Sequence, residues 1–133
     1  MGRKTRGTNQ GFRARPDLRL ALKLRDGFMC GYCGRDLSGA KFSDVTIDHL
    51  ACQKKAHNNE PSNLITACRT CNCERQTQPW TAFAFAKGGK TAIKRIQRNR
   101  RRDITKYRTH AKQIIADGYR NRTRHSSRVI AGG

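Results

Sequence analysis

No apolar run among these 133 residues approaches the roughly 20 needed to cross a bilayer. The basic stretch at the start has no apolar segment of the secretory kind. There is no lipidation signal, and no basic helix rich in Trp, Phe and Leu that would lie on an anionic membrane surface. A soluble, cytoplasmic protein with no membrane partner is expected. Internal repeats are absent too, which argues against an array. Acidic residues are scarce, 9 against 29 Lys and Arg, for a net charge of +20. With 35% apolar residues the chain can bury one core, and two ordinary domains are excluded.

The missing acidity is unevenly spread. Residues 26–85 hold 6 basic and 6 acidic side chains, whereas residues 1–25 hold 8 and 1, and residues 86–133 hold 15 and 2. A neutral centre therefore carries two basic flanks. Such flanks repel one another, and their natural counterion is a polyanion whose condensed cations are released on binding. A merely solubilising surface would interleave both signs.

Residues 1–15, rich in Gly, Asn and Arg without apolar periodicity, read as a flexible basic arm. Helical spacing of Leu18, Ala21, Leu22 and Arg25 after Pro16 predicts a helix over 17–25, stopped by Gly27. VTIDHL, residues 45–50, alternates like a strand, and residues 64–67 form a second short apolar run. A polar helix is expected over 71–78, ending at Pro79. WTAFAFA then packs back on the core, and Gly88-Gly89 breaks the chain. Residues 90–117 carry Ile93, Ile96, Ile104, Tyr107, Ala111 and Ile114 on a three-four spacing, predicting one or two helices that pack on the domain or on a partner subunit. Gly118 is expected to end them, leaving residues 119–133 as a disordered basic tail.

Six cysteines in a chain with no sign of an oxidising compartment are tested for metal before disulfides. Cys30, Cys33, Cys68 and Cys71 form two C-x2-C pairs separated by 34 residues. Two such knuckles close a tetrahedral Zn2+ site. Four thiolates leave no open position for substrate, so this zinc is structural. In a domain this short it supplies folding free energy that the core cannot. Cys52 and Cys73 fit no second site and read as free or buried thiols. His57 could replace a thiolate, but in its polar loop it reads as exposed.

Between and just beyond the knuckles lie Ile47-Asp48-His49, then Asn63-Leu64, then Cys71-Asn72. Taken in order, C-x2-C-G, I-D-H and N-L-x3-C-x2-C-N resemble the HNH endonucleases, over about residues 18–75. The resemblance implies an α+β fold with a small ββα-metal core and a four-cysteine zinc site, flanked by helices and basic arms. It divides the chain into an arm (1–15), a nuclease core (16–86) and a basic extension (87–133). Hydrolysing a phosphodiester needs a water made nucleophilic, a Lewis acid and a group that holds the phosphate in line. His49 is the candidate general base, since imidazole takes a proton near neutral pH. Asp48 and Asn72 are hard oxygen ligands suited to Mg2+ or Mn2+. Asn63 is implied to brace the loop that orients His49, although a plain turn or capping Asn reads almost as well. The last motif letter is Asn72 rather than His, a variant ligand that favours Mg2+ over softer ions. Asp48 and His49 can serve one site only if the strand ends or twists there.

Double-stranded DNA is the implied substrate. The resemblance lays the helix over 71–78 against the minor-groove backbone, which assigns Arg75 to nucleic acid. Arg98, Arg100, Arg101 and Arg102 join it, in the phosphate contacts that are the commoner use of such runs. A homodimer and, by likeness to small phage-encoded HNH proteins, a DNA-packaging machine are further candidate partners. A non-catalytic zinc-ribbon nucleic-acid-binding protein explains the charge and the cysteines equally well, but leaves Asp48, His49, Asn63 and Asn72 unexplained.

Overall fold

A computed structural model of the protein describes residues 15–51 and 59–132, with side chains as far as residue 118. Residues 1–14 of the basic arm, Cys52 and His57 fall outside them. Helix α1 (Pro16–Arg25) opens on Pro16 and Asp17 and closes on Lys23 and Arg25, charges that complement its dipole. It buries Leu18, Ala21 and Leu22 along one face. The chain then turns through Gly27 and Phe28, both at positive φ, into the first cysteine pair, closed by an antiparallel bridge between Met29 and Asp36.

Strands β1 (Val45–His49) and β2 (Leu64–Cys68) pair antiparallel, from Val45 opposite Cys68 to His49 opposite Leu64. Helix α2 (Arg69–Arg75) follows β2 directly. It starts two residues earlier than the polar pattern suggests because Cys68 caps it, its sulfur accepting the N–H of Cys71. The architecture is α+β, and its centre is a ββα unit.

Strand alternation gives the sheet two different faces. Leu64 packs with Leu18 and Leu22 of α1, joined by Ile47. Ile65 and Ala67 point the other way, into a larger core with Tyr32, Leu50, Phe83, Ala92 and Ile96.

The last two of these lie beyond residue 86, so the core continues into the basic extension. They reach it through helix α3 (Trp80–Arg101), which is broken at Gly89. A straight helix would hold Trp80 and Arg100 about 30 Å apart at 1.5 Å per residue. Here the Arg100 guanidinium lies 5.7 Å from the Trp80 ring. The break therefore folds α3 back on itself. Gly89 takes φ 67°, and a side chain at Gly88 would sit 2.6 Å from the Tyr32 carbonyl oxygen. One glycine makes the bend and its neighbour lets the bend touch the first knuckle.

Helix α4 (Thr105–Gly132) packs against α1, with Ala111 buried and Arg108 donating to Asp17 at 2.8 Å. Of the apolar stripe from residue 93 onward, Ile93, Ile96, Ile104 and Ala111 pack on the domain, whereas Ile114 is exposed. The helix runs through Gly118, where an end was expected, since one glycine costs a helix only about 1 kcal/mol. Among the described residues no helix is long and apolar enough to cross a membrane.

Candidate metal centre and nuclease site

The first knuckle is tied down by backbone bonds from Cys30 to the Arg35 carbonyl, from Gly34 to the Cys30 carbonyl and from Gly31 to the Thr66 carbonyl on β2. In each knuckle an N–H donates to sulfur: Cys33 to Cys30, and Cys71 to Cys68. The four sulfurs of Cys30, Cys33, Cys68 and Cys71 all lie within 4.8 Å of one another, with Cys33 and Cys68 at 3.9 Å. A tetrahedron with arms of about 2.3 Å has edges of about 3.8 Å, so this spacing suits one Zn2+.

The protonation energetics agree. Burial pushes the Cys30 and Cys71 thiols above their ordinary range, and neighbouring sulfurs push Cys71 further. Burial raises the Cys68 thiol, but bonds from Cys71, Cys30 and Cys33 together outweigh it and leave Cys68 lowered. Four thiolates cannot coexist here without a cation, and Zn2+ is the cation this donor set fits. Lys87 pairs with Glu74 at 2.7 Å and is held above its ordinary value, first by Glu74, then by the Cys71 and Cys33 sulfurs. Cys73 is exposed and stands outside the cluster.

Beneath α2 lies an oxygen-rich site. Asp48 is 8% exposed, and its Oδ2 accepts from Tyr32 Oη at 2.5 Å and from Arg75 Nη1 at 2.8 Å. Burial, then the Asp48 charge, holds the Tyr32 hydroxyl far above the ordinary phenol range, so it remains a donor. Asn72 Nδ2 donates to Thr46 Oγ1 at 2.9 Å. Thr46 and Asp48 are two apart on β1 and share a face, so the helix bearing Asn72 and Arg75 covers that face.

His49 is the last residue of β1 and is paired with Leu64, so alternation sends its side chain away from Asp48. Its Nε2 lies 2.8 Å from Asn59 Oδ1. The strand ends where one shared site requires it to. Asn63 is 3% exposed, its Oδ1 accepts from Ala51 N–H at 2.9 Å, and its carbonyl accepts from Leu50 N–H. It is bonded to the segment that leaves His49.

Arg75 stands elsewhere than the nucleic-acid surface expected for it. It is 7% exposed, and besides Asp48 it donates to the carbonyls of His49, Leu50 and Gln78, each at 2.8 Å. Four of its five N–H donors are used inside the protein, so the guanidinium is committed to the fold and not to a surface. Arg100 and Arg102 donate to the carbonyls of Ser62 and Arg25, whereas Arg98 and Arg101 are exposed. Two residues had no signal as site neighbours in the sequence. Tyr32 is hidden between two cysteines, and Arg75 meets acceptors that only the tertiary fold brings to it.

The structure thus holds a ββα unit with four clustered sulfurs, and with a carboxylate and an amide beneath its helix. Residues 30–78 match the family model for HNH endonuclease. No curated protein and no solved structure matches the chain.

Proposed function

We propose that this protein is an endonuclease that hydrolyses double-stranded DNA with the help of a divalent metal. The observation that carries this reading is that Asp48 and the helix bearing Asn72 share one face of β1, with His49 at the strand's end, inside the stretch that matches the HNH family. Asp48 and Asn72 would hold Mg2+ or Mn2+ through oxygen, an ion that keeps several of its waters and so needs few protein ligands. When bound, that ion supplies Lewis-acid stabilisation of the scissile phosphate and the leaving oxygen.

His49 takes the proton from the attacking water. Arg75, through the carbonyls of His49 and Leu50, and Asn63, through Ala51, hold the peptide that carries this base. Exposed Arg98 and Arg101, together with the basic flanks, grip phosphates, which gives weak sequence preference and steep salt dependence. One such site makes nicks.

A second reading, a non-catalytic zinc-stabilised binding module, is favoured by one observation: the Asp48 carboxylate is already engaged by Arg75 and Tyr32. Supercoiled plasmid with Mg2+ or Mn2+ separates the two. Nicked circles are expected from the wild type and almost none from His49→Ala, which keeps its zinc. Equal cleavage by both proteins removes His49 from the mechanism, and cleavage by neither favours the binding module.

A further inference from the structure

Tyr32 belongs to the sulfur knuckle by position and to the oxygen site by contact. It lies between Cys30 and Cys33 and is fully buried, with its ring set edge-on to Phe83 at 4.9 Å between centroids. Its hydroxyl reaches 16 residues along the chain to Asp48. The knuckle beneath it is fixed by the sulfurs and by the bond from Gly31 to Thr66, so the hydroxyl is delivered from a rigid base.

A carboxylate turns easily about its last torsion, which has broad wells and no strong preference. A single donor would leave Asp48 free to rotate. Here Arg75 arrives from α2 and Tyr32 from the knuckle, and both bond to Oδ2. Neither uses Oδ1. We propose that Tyr32 is a positioning residue whose hydroxyl, anchored by the sulfur knuckle, fixes the Asp48 carboxylate so that Oδ1 is presented to the divalent metal. The proposal rests on the reading of Asp48 as a metal ligand. Partners of metal-bound groups commonly alter affinity 10- to 100-fold when removed, so the size of the effect is measurable.

The test uses the zinc-loaded full chain in three forms: wild type, Tyr32→Phe and Asp48→Asn. Phenylalanine keeps the ring and its contact with Phe83 and removes only the hydroxyl. Zinc content, melting temperature and Mn2+ affinity, the last from the paramagnetic resonance of free Mn2+, are measured on each. The expected result is unchanged zinc and nearly unchanged melting in Tyr32→Phe, with Mn2+ bound about 10-fold more weakly, and Mn2+ binding abolished in Asp48→Asn. If Asp48→Asn loses Mn2+ while Tyr32→Phe binds it as tightly as the wild type, Asp48 remains a ligand and the role of Tyr32 is overturned. If Tyr32→Phe loses zinc or fold, the hydroxyl is structural and the proposal is equally overturned. Mn2+ binding that is absent from the wild type, or indifferent to Asp48→Asn, sinks the reading of Asp48 and the inference with it.

Discussion

Arg25 and Arg75 hold opposite ends of the loop that joins β1 to β2. Arg75 grips the chain as it leaves, at the His49 and Leu50 carbonyls, and Arg25 grips it as it returns, at the Pro61 and Leu64 carbonyls. Each is buried with one aspartate. The two aspartates differ in what they have left. Asp26 spends both oxygens, Oδ1 on Arg25 Nε, and Oδ2 on Arg25 Nη2 and the Thr66 N–H. Asp48 takes Tyr32 and Arg75 on Oδ2 alone. A saturated buried pair holds shape and does nothing more. A pair with one oxygen uncommitted can hold shape and still offer a ligand.

The largest effect should come from removing what both clamps lean on. β2 ends in Cys68, so the returning strand is pinned by sulfur at one end and by Arg25 at the other. Zinc in small cysteine sites is worth about 10–16 kcal/mol at pH 7, as much as the whole stability of an ordinary domain, about 5–15 kcal/mol. Cys68→Ser should release zinc and unfold the domain, read by zinc release and far-ultraviolet circular dichroism. A variant that melts cooperatively near the wild-type temperature would mean that the arginine clamps, and not the sulfurs, hold the sheet together.

The comparison itself is tested next, by the same substitution at both aspartates. In Asp26→Asn one oxygen becomes a donor facing donors, so at least one accepted bond turns repulsive beside the buried Arg25. Disrupting such a pair costs about 3–5 kcal/mol. In Asp48→Asn the remaining oxygen can still accept from Tyr32 and Arg75, and the new NH2 goes where Oδ1 was. Arg75 loses its counter-charge but keeps this bond and three carbonyl acceptors, so the cost should be smaller, about 1.5–3 kcal/mol. Urea unfolding of the two variants measures the difference, and equal costs would erase the distinction between a spent and an unspent carboxylate.

Much of this was legible in the chain because it is local. Two C-x2-C pairs declare a knuckle geometry on their own, the alternation of VTIDH marks its strand, and Gly88-Gly89 marks the bend. The order of Asp48, His49, Asn63 and Asn72 between and beside the knuckles carries the resemblance to the family whose model matches residues 30–78. What stayed hidden depends on partners far away in sequence. Arg75 looks like a surface cation beside Glu74 and Gln76, and only the return of β1 beneath α2 supplies its carbonyls. The reversal of α3 is of the same kind, since periodicity names the buried faces of its two halves but not the angle between them.

The smallest expected effect lies outside both clamps, where α4 is fastened to α1 by Asp17 and Arg108. The bond from Arg108 lowers the Asp17 carboxyl below its ordinary value of 3.8, with burial opposing. A depressed folded value means that the pair's stabilisation is fully present above the unfolded value and is lost only as pH falls through the folded one. Being partly exposed, the pair should contribute about 0.2–1 kcal/mol. Thiolate ligands, by contrast, release zinc as they are protonated on acidification. Between pH 7 and pH 5 the wild type and Asp17→Asn should therefore lose stability in parallel, separated by a small constant gap that added salt narrows. A gap that closes within that range would show that α4 is held by something other than this pair. The acid sensitivity of the fold could then no longer be assigned to the sulfur site alone.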